Sequence, residues 1–308
     1  MSARETTLLV SGATGLIGGR LLASLPATGP RIRALTRDPG RAPAALAARA
    51  ELVGWDGLRV PSEALAGADA VLHLAGEPLF GGLPTPGRLR RIRRSRVDST
   101  RSVVAAIAEL PSEQRPAALV CASAVGIYGS RGDEELDERT PAGEGFAADL
   151  CRDWETAALA AAAYGLRVVT LRFGIVLARE GGALALLARL FRLGLGGRVG
   201  SGRQWVPWVH ANDAVALVRR ALEDAELRGA LNVVAPGCVR NQDLTRALAA
   251  RVNRPALLPA PALAVRLALG PLAGELLGSR RVVPRRAEAM GFLFAHPELS
   301  GALAQELG

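Results

Sequence analysis

A glycine-rich segment near the start of the chain carries the clearest chemical signal. It reads SGATGLIG at positions 11–18, directly after the apolar run TTLLV and before a helical pattern. With glycines spaced GxxGxxG, the backbone can turn sharply, a diphosphate can approach the main chain, and the helix can pack closely on the strand. The free amides at the helix start then face the phosphates. The motif predicts a dinucleotide site that includes Gly12, Thr14, Gly15, Leu16, Ile17 and Gly18.

The end of the second predicted strand indicates which dinucleotide the site prefers. The chain reads LTRD at positions 35–38. An acidic residue at this place accepts a hydrogen bond from the ribose 2′-hydroxyl of NAD, whereas an arginine suits the 2′-phosphate of NADP. Asp38 lies about 20 residues after the last glycine, as an NAD site requires, but it precedes a Pro-Gly pair and suits a turn. We therefore expect NADP(H) as the cofactor, with Arg37 facing the phosphate.

The chain contains no lysine, so all 38 of its basic residues are arginines. This excludes a Schiff-base lysine, a phosphate-loop lysine and a catalytic tyrosine assisted by lysine. Ser123 and Tyr128 follow the apolar run ALVCA and are the candidates for orienting a substrate or moving a proton. Two alternatives stay open: Ser123 could cap the strand, and Tyr128 could be structural.

Composition and charge exclude several classes of partner. The 308-residue chain is 49% hydrophobic and has a net charge of +9, but only Arg88–Arg96 is a concentrated basic run. Such a run is typical of a solvated helix face, so we expect no nucleic-acid partner. The three cysteines and three histidines show no metal-ligand spacing, so no metal is expected. Because no apolar run reaches the ~18 residues that span a bilayer and no signal-peptide pattern is found, we expect a cytoplasmic protein without a membrane partner.

Strand-like runs alternate with helical patterns over the first two-thirds of the chain. This rhythm is typical of a parallel sheet covered by helices on both faces. After residue 173 the pattern loosens, with a short strand at Trp205–His210 and helices at 213–222 and 241–252, which we expect Asp213 and Asn241 to cap. The other predicted strands span 6–11, 31–36, 51–55, 70–74, 118–122 and 167–171, and the other main helices span 16–25, 88–110 and 146–164.

Several segments together resemble the extended short-chain dehydrogenase/reductase superfamily. More closely, the chain is similar to an atypical epimerase family within it, related to NAD-dependent epimerases and dehydratases, whose members carry a small C-terminal extension of unknown function. The resemblance covers nearly the whole chain and is most specific at 192–210. The matching segments are SGATGLIG, LAGEP (74–78), SRVDST (95–100), SAVGIYG (123–129), RFGIVL (172–177), RLGLGGRVGSGRQWVPWVH (192–210), LNVVAP (231–236) and GSRRVVPRRAEAMGF (278–292).

The resemblance implies further cofactor contacts. They are Thr36 and Arg37 at the adenosine end, and Leu74, Ala75 and Gly76 along the ribose–diphosphate groove. Arg96 and Arg172 would lie near the cofactor or the substrate. The alternative for Arg96 is a charge on a helix surface. Arg172 ends a predicted strand, and ligands of doubly wound sheets bind at the carboxyl edge.

The catalytic pattern of the superfamily is missing from this chain. Active members use a Tyr-x-x-x-Lys pair, whose tyrosine exchanges a proton with the substrate, and a serine that orients the substrate oxygen. Phe146 and Leu150 occupy the expected positions of the pair, in a register fixed to within about one residue. The serine is displaced as well, because Ala124 stands four residues before Tyr128, where superfamily enzymes place it, and Ser123 stands five before.

We expect a doubly wound α/β fold, a parallel Rossmann sheet with a smaller C-terminal substrate lobe. Residues 1–254 would form the NAD(P)-binding domain, including substrate-lobe segments after residue 173, and residues 255–308 the extension. The predicted function is an NADP(H)-dependent oxidoreductase or epimerase that acts on a small polar substrate without the Tyr–Lys pair. The alternative is a non-catalytic NADPH-binding sensor or scaffold. A homodimer is a further expectation.

Overall fold

The computed structural model describes residues 6–308, and its centre is a sheet of seven parallel strands. These strands are β1 (Thr7–Ser11), β2 (Arg31–Thr36), β3 (Ala50–Gly54), β4 (Ala70–His73), β5 (Ala118–Ala124), β7 (Arg167–Phe173) and β11 (Gly229–Val233). They are ordered β3-β2-β1-β4-β5-β7-β11. The order reverses between β1 and β4, and ligands of such sheets bind outside the carboxyl ends of the strands at that point.

The other strands are short, and helices cover the sheet. The short strands are β6 (Glu135–Leu136), β8 (Ile175–Leu177), β9 (Trp205–Val206), β10 (Trp208–His210), β12 (Val239–Arg240) and β13 (Arg281–Val282). The helices are α1 (Leu16–Ser24), α2 (Ala44–Ala47), α3 (Ser62–Leu65), α4 (Pro86–Arg93), α5 (Ser99–Glu109), α6 (Phe146–Leu159), α7 (Gly182–Arg192), α8 (Ala211–Glu223), α9 (Asn241–Arg251), α10 (Ala262–Leu269), α11 (Ala273–Leu277), α12 (Arg285–Ala289) and α13 (Leu299–Leu307). Within residues 6–308, no helix has the length and hydropathy that a membrane crossing requires.

Two hydrophobic cores lie on opposite faces of the sheet. Neighbouring residues of one strand point to opposite faces, so Leu9 and Leu119 belong to the core under α5 and α6, whereas Val10 and Val120 belong to the core under α1 and α8. All four side chains are fully buried. Each such side chain contributes about 1.5–3 kcal/mol by leaving water. The predicted doubly wound arrangement is confirmed.

A smaller lobe forms from segments after β7. There β8 pairs with β10, and β9 pairs with β12. A third hydrophobic core, with Trp208 fully buried, joins these strands to α7, α9 and α13. The predicted substrate lobe therefore has its own core, beside the carboxyl end of the main sheet.

The C-terminal residues pack against earlier parts of the chain. β13 pairs with β6. The carboxylate of Glu306 in α13 accepts a hydrogen bond from the Arg20 guanidinium of α1 at 3.0 Å and another from the Arg179 amide at 2.7 Å. Glu306 is 5% exposed. The buried carboxylate of the last helix is thus bound by α1 and by the segment that follows β8.

Three local expectations were wrong, and one strand was missed. Pro207 splits the predicted strand 205–210 into β9 and β10, because proline has no amide to donate to a ladder. The strand β11 was not expected. Asn241 does not cap α9; it is the first helical residue, and its side chain accepts from the Val199 amide. Asp213 does not cap α8 either, since His210 does so. The Asp213 carboxylate instead accepts from the amides of residues 295 and 296 at 2.8 and 2.9 Å.

Candidate active site

The glycine-rich loop connects β1 to α1 and packs against the end of β4. Gly12 has φ +74°, and a Cβ there would lie 2.8 Å from the carbonyl carbon of Leu74. A Cβ on Gly18 would lie 2.3 Å from the Gly12 carbonyl oxygen. Only glycine fits both positions. In the described part of the chain, no side chain caps the start of α1 at Gly15 and the first turn of α1 holds no acid, so its amides can meet an anion.

A cleft of about 360 Å³ runs from this loop across the carboxyl ends of β4 and β5 to α6. Nine of the residues expected at the site line it. They are Gly12, Gly15, Leu16, Ile17, Gly18, Leu74, Gly76, Arg96 and Ser123. Thr14 and Ala75 belong to the same two loops but do not line the cleft. A single continuous cleft therefore joins the expected diphosphate site to the expected reaction site.

Arg37 lies in a second cavity, of about 500 Å³, beyond the ends of β2 and β3. Trp55, Asp56 and Arg59 also line this cavity, whereas Thr36 does not. Asp38 points elsewhere, because its carboxylate accepts from the Gly40 amide at 3.1 Å and so closes a turn. Asp38 is thus used in a turn, and the side chain available to a ligand at the expected adenosine end is the Arg37 guanidinium.

Ser123, Glu155 and Arg172 form a buried chain behind the cleft. The Ser123 hydroxyl donates to the Glu155 carboxylate at 2.7 Å, and Arg172 donates to both Glu155 oxygens at 2.8 and 2.9 Å. The Tyr128 hydroxyl accepts from Arg172 at 2.9 Å and donates to the Asn232 side chain at 2.7 Å. Burial raises the pKa of Tyr128 to about 12. Of these five residues, Ser123 alone lines the cleft.

The positions of the missing catalytic pair both face the cleft. Phe146 and Leu150 lie one turn apart on α6, and both line it. Neither side chain can carry a proton or a charge. Cys151, next along the helix, also lines the cleft, and burial raises the pKa of its thiol to about 12, so the thiol is neutral. This wall of the cleft is therefore apolar and uncharged.

Arg96 projects into the cleft from a π-helical turn, Arg94–Asp98, between α4 and α5. Such turns often occur at functional sites. Its guanidinium donates to the Glu77 carbonyl at 2.9 Å and lies between Gly76 and the Trp154 ring, 5.4 Å from the ring centroid. The Glu77 carboxylate pairs with Arg88 and Arg91 instead. Burial lowers the pKa of Arg96. The Arg96 guanidinium is thus fixed in the cleft by a backbone carbonyl, and it has no carboxylate partner among residues 6–308.

Sequence reasoning missed two residues of the cleft that come from the C-terminal segment, Leu272 and Glu275. The Glu275 carboxylate accepts from Arg280 at 2.6 Å. No motif marks this segment, but Glu275 is the only acidic residue between Asp243 and Glu288, which was an available signal. Within residues 6–308, no group of three or more His, Cys, Asp or Glu side chains could hold a metal ion.

Comparison with protein-family models identifies two regions. Residues 8–234 match the NAD dependent epimerase/dehydratase family, and residues 260–306 match a domain of unknown function, DUF1731. A relative from Arabidopsis thaliana, named epimerase family protein SDR39U1 homolog, chloroplastic, is 37% identical over 97% of this chain and 86% of its own length. The human epimerase family protein SDR39U1 is 35% identical over 97% of this chain and 98% of its own length.

Solved structures agree with these matches. The crystal structure of human SDR39U1 (isoform 2) with NADPH covers 98% of this chain and 99% of its own, with a TM-score of 0.85 and 32% identity. The structure of MoeE5 in complex with UDP-glucose and NAD, at 22% identity and a TM-score of 0.77 over 98% of this chain and 97% of its own, shows the shared fold alone. The resemblance noted in the sequence is confirmed, and the chain belongs to the NAD dependent epimerase/dehydratase family.

Proposed function

We propose that this protein binds NADP(H) in the cleft and catalyses oxidation–reduction, or epimerisation through such a step, on a small polar substrate. The observation that carries the proposal is the single cleft that joins the glycine-rich loop to Arg96 and Ser123. The human relative, solved with NADPH, supports the choice of nucleotide.

The cofactor would lie along the carboxyl edge of the sheet. The amides that open α1 would bind its diphosphate, and Thr14 and Ala75 would lie in the two loops that hold it. Arg37, with Thr36 beside it, would face the 2′-phosphate. Arg172 would contribute without touching the ligand, because its guanidinium holds Glu155, which in turn holds Ser123.

The protein's own side chains would orient the substrate and stabilise charge on it. Hydride transfer to or from the substrate is the chemistry that a nicotinamide nucleotide would supply here. The Ser123 hydroxyl, oriented by Glu155, would contact the reacting region. The Arg96 guanidinium would stabilise negative charge on a substrate oxygen. Tyr128 stays a weaker candidate for proton transfer, since its hydroxyl is engaged by Arg172 and Asn232. Because about 360 Å³ must hold part of the cofactor as well, the substrate is small.

Calorimetric titration with NADPH and NADH tests the nucleotide choice. We expect wild type to prefer NADPH by about tenfold or more, as a charge-assisted contact to phosphate provides. Arg37→Ala should bring the two affinities together. Arg31→Ala, at the other end of β2, is the matched control and should keep the preference. A wild-type protein that binds neither nucleotide would contradict the proposal.

A second candidate function is a non-catalytic NADPH sensor or scaffold. Phe146 and Leu150 in the cleft favour it, because the usual proton-transfer pair is replaced by hydrocarbon. Incubation with NADPH and a panel of carbonyl compounds and nucleotide sugars separates the two functions. Oxidation of NADPH with any member supports the enzyme, whereas tight binding without turnover supports the sensor.

The compartment, oligomeric state and macromolecular partners of the protein stay predictions. The cytoplasm is the expected compartment, although the Arabidopsis relative carries the word chloroplastic in its name. A homodimer and the absence of nucleic-acid and membrane partners are likewise expectations. Sedimentation of the purified protein, with and without NADPH, would give its oligomeric state.

A further inference from the structure

The C-terminal extension forms part of the cleft wall. A short turn, Gly270–Leu272, and helix α11 bring Leu272 and Glu275 to it. Leu272 is buried in the core shared with α5 and α6. The extension is therefore packed into the nucleotide domain at the site itself, and its polar contribution there is one carboxylate.

Glu275 lies where β5 ends and α6 begins. A Cβ on Gly126 would be 3.3 and 3.4 Å from the two Glu275 oxygens and 3.2 Å from the Ala147 Cβ. Gly126 comes three residues after Ser123, and Ala147 directly follows Phe146. The carboxylate thus lies beside the turn that follows β5 and near the first turn of α6, in the cleft that Ser123 and Phe146 also line.

The Glu275 carboxylate is fixed by a hydrogen bond from Arg280 and faces the cleft. Arg280 donates to it at 2.6 Å, and that arginine is itself buried, with 7% of its side chain exposed. Among those of residues 6–308 that line the cleft, Glu275 is the only acid and Arg96 the only base. A cleft that holds one anion and one cation fits a substrate whose reacting oxygen can face the guanidinium while its proton faces the carboxylate.

Resting on the proposed function, we infer that Glu275 is a catalytic residue supplied by the extension, and that it takes the proton of a substrate hydroxyl. In the oxidising direction the C–H bond breaks and its hydride passes to NADP⁺. The O–H bond also breaks, its proton passes to the Glu275 carboxylate, and a carbonyl forms. The reverse direction returns both. The substrate class is a small compound with an oxidisable hydroxyl group or the matching carbonyl.

The inference can be tested before any substrate is known. A carboxylate beside the nicotinamide attracts the positive oxidised ring and has no such attraction for the neutral reduced ring. Titration of the full chain with NADP⁺ and NADPH gives the ratio of the two affinities. Glu275→Gln should weaken NADP⁺ relative to NADPH by about fivefold to tenfold, as a lost ion contact at short range predicts. Glu298→Gln, an exposed glutamate of the same extension, is the matched control and should leave the ratio unchanged.

Each outcome has a defined meaning. A wild type that binds neither nucleotide overturns the proposed function. Normal binding with an unchanged ratio in folded Glu275→Gln overturns this inference alone. If that variant does not fold, Arg280→Gln replaces it: removal of the counter-charge should move the ratio toward NADP⁺, and an unchanged ratio overturns the inference.

Discussion

Glu155 and Arg172 form a two-point ion pair in the interior, with contacts of 2.8 and 2.9 Å and about a tenth of each side chain exposed. The pair links α6 to β7 directly behind Ser123. Arg172 also donates a hydrogen bond to the Tyr128 hydroxyl. The Glu155 carboxylate therefore positions Ser123 and Arg172 directly and Tyr128 through Arg172. The energetic cost of disturbing it should therefore be large.

Glu155→Gln should destabilise the fold by about 3 kcal/mol, because it leaves a buried guanidinium without its counter-charge. Urea unfolding followed by circular dichroism measures the change. Glu223→Gln, which removes a surface partner of Arg219, should stay within about 0.5 kcal/mol. Equal stability of the Glu155 variant and wild type would show that the pair contributes little.

Gly12→Ala should abolish nucleotide binding and destabilise the fold by about 1–3 kcal/mol, since the position combines a positive φ with a main-chain clash at 2.8 Å. Calorimetry and thermal unfolding measure the two effects. Gly301→Ala in α13 meets nothing within 4 Å and serves as the control, with stability unchanged or slightly raised. Retained affinity in the Gly12 variant would refute the assigned loop geometry.

Asp213→Asn should loosen the segment before α13, because the two backbone amides donate to different carboxylate oxygens and asparagine replaces one of these oxygens with an NH2 group, which cannot accept. We expect a loss of about 1–3 kcal/mol. Hydrogen exchange should accelerate at residues 295 and 296. Asp98→Asn, at a surface pair with Arg101, is the control. Unchanged exchange at those two amides would contradict the prediction.

Stability should fall as the pH falls from about 6.5 toward 4, because burial lowers the pKa of His73 to about 4. The unfolded chain then binds a proton that the folded protein excludes, so the His73 contribution is present above the unfolded pKa and lost below it. Burial also lowers the pKa of His210, which acts in the same direction. Urea unfolding at pH 7.5 and 5.0 should show a smaller loss in His73→Gln. An equal loss would assign the effect elsewhere.

Local patterns predicted the parts of the structure that local sequence controls. The strand–glycine–helix unit at 7–24 follows from the spacing of Gly12, Gly15 and Gly18 and from the apolar run before them. The alternation of strands and helices likewise predicted the layered sheet. β11 was missed because Gly229 and Ala230 dilute its apolar pattern, although LNVV is buried.

Contacts between distant residues could not be predicted in this way. Tyr128 and Asn232 are 104 positions apart, and their hydrogen bond exists only because β5 and β11 both flank β7. The same holds for Glu275, whose place in the cleft depends on how the extension folds back. Residue type suggested Tyr128 as reactive; packing placed its hydroxyl between Arg172 and Asn232.

The ion pair between Arg20 and Glu306 bears on how the protein is made. The two residues are 286 positions apart. Helix α1, which follows the glycine-rich loop, therefore lacks this partner until residue 306 has been translated. During synthesis the N-terminal half therefore folds without this ion pair until the rest of the chain has left the ribosome.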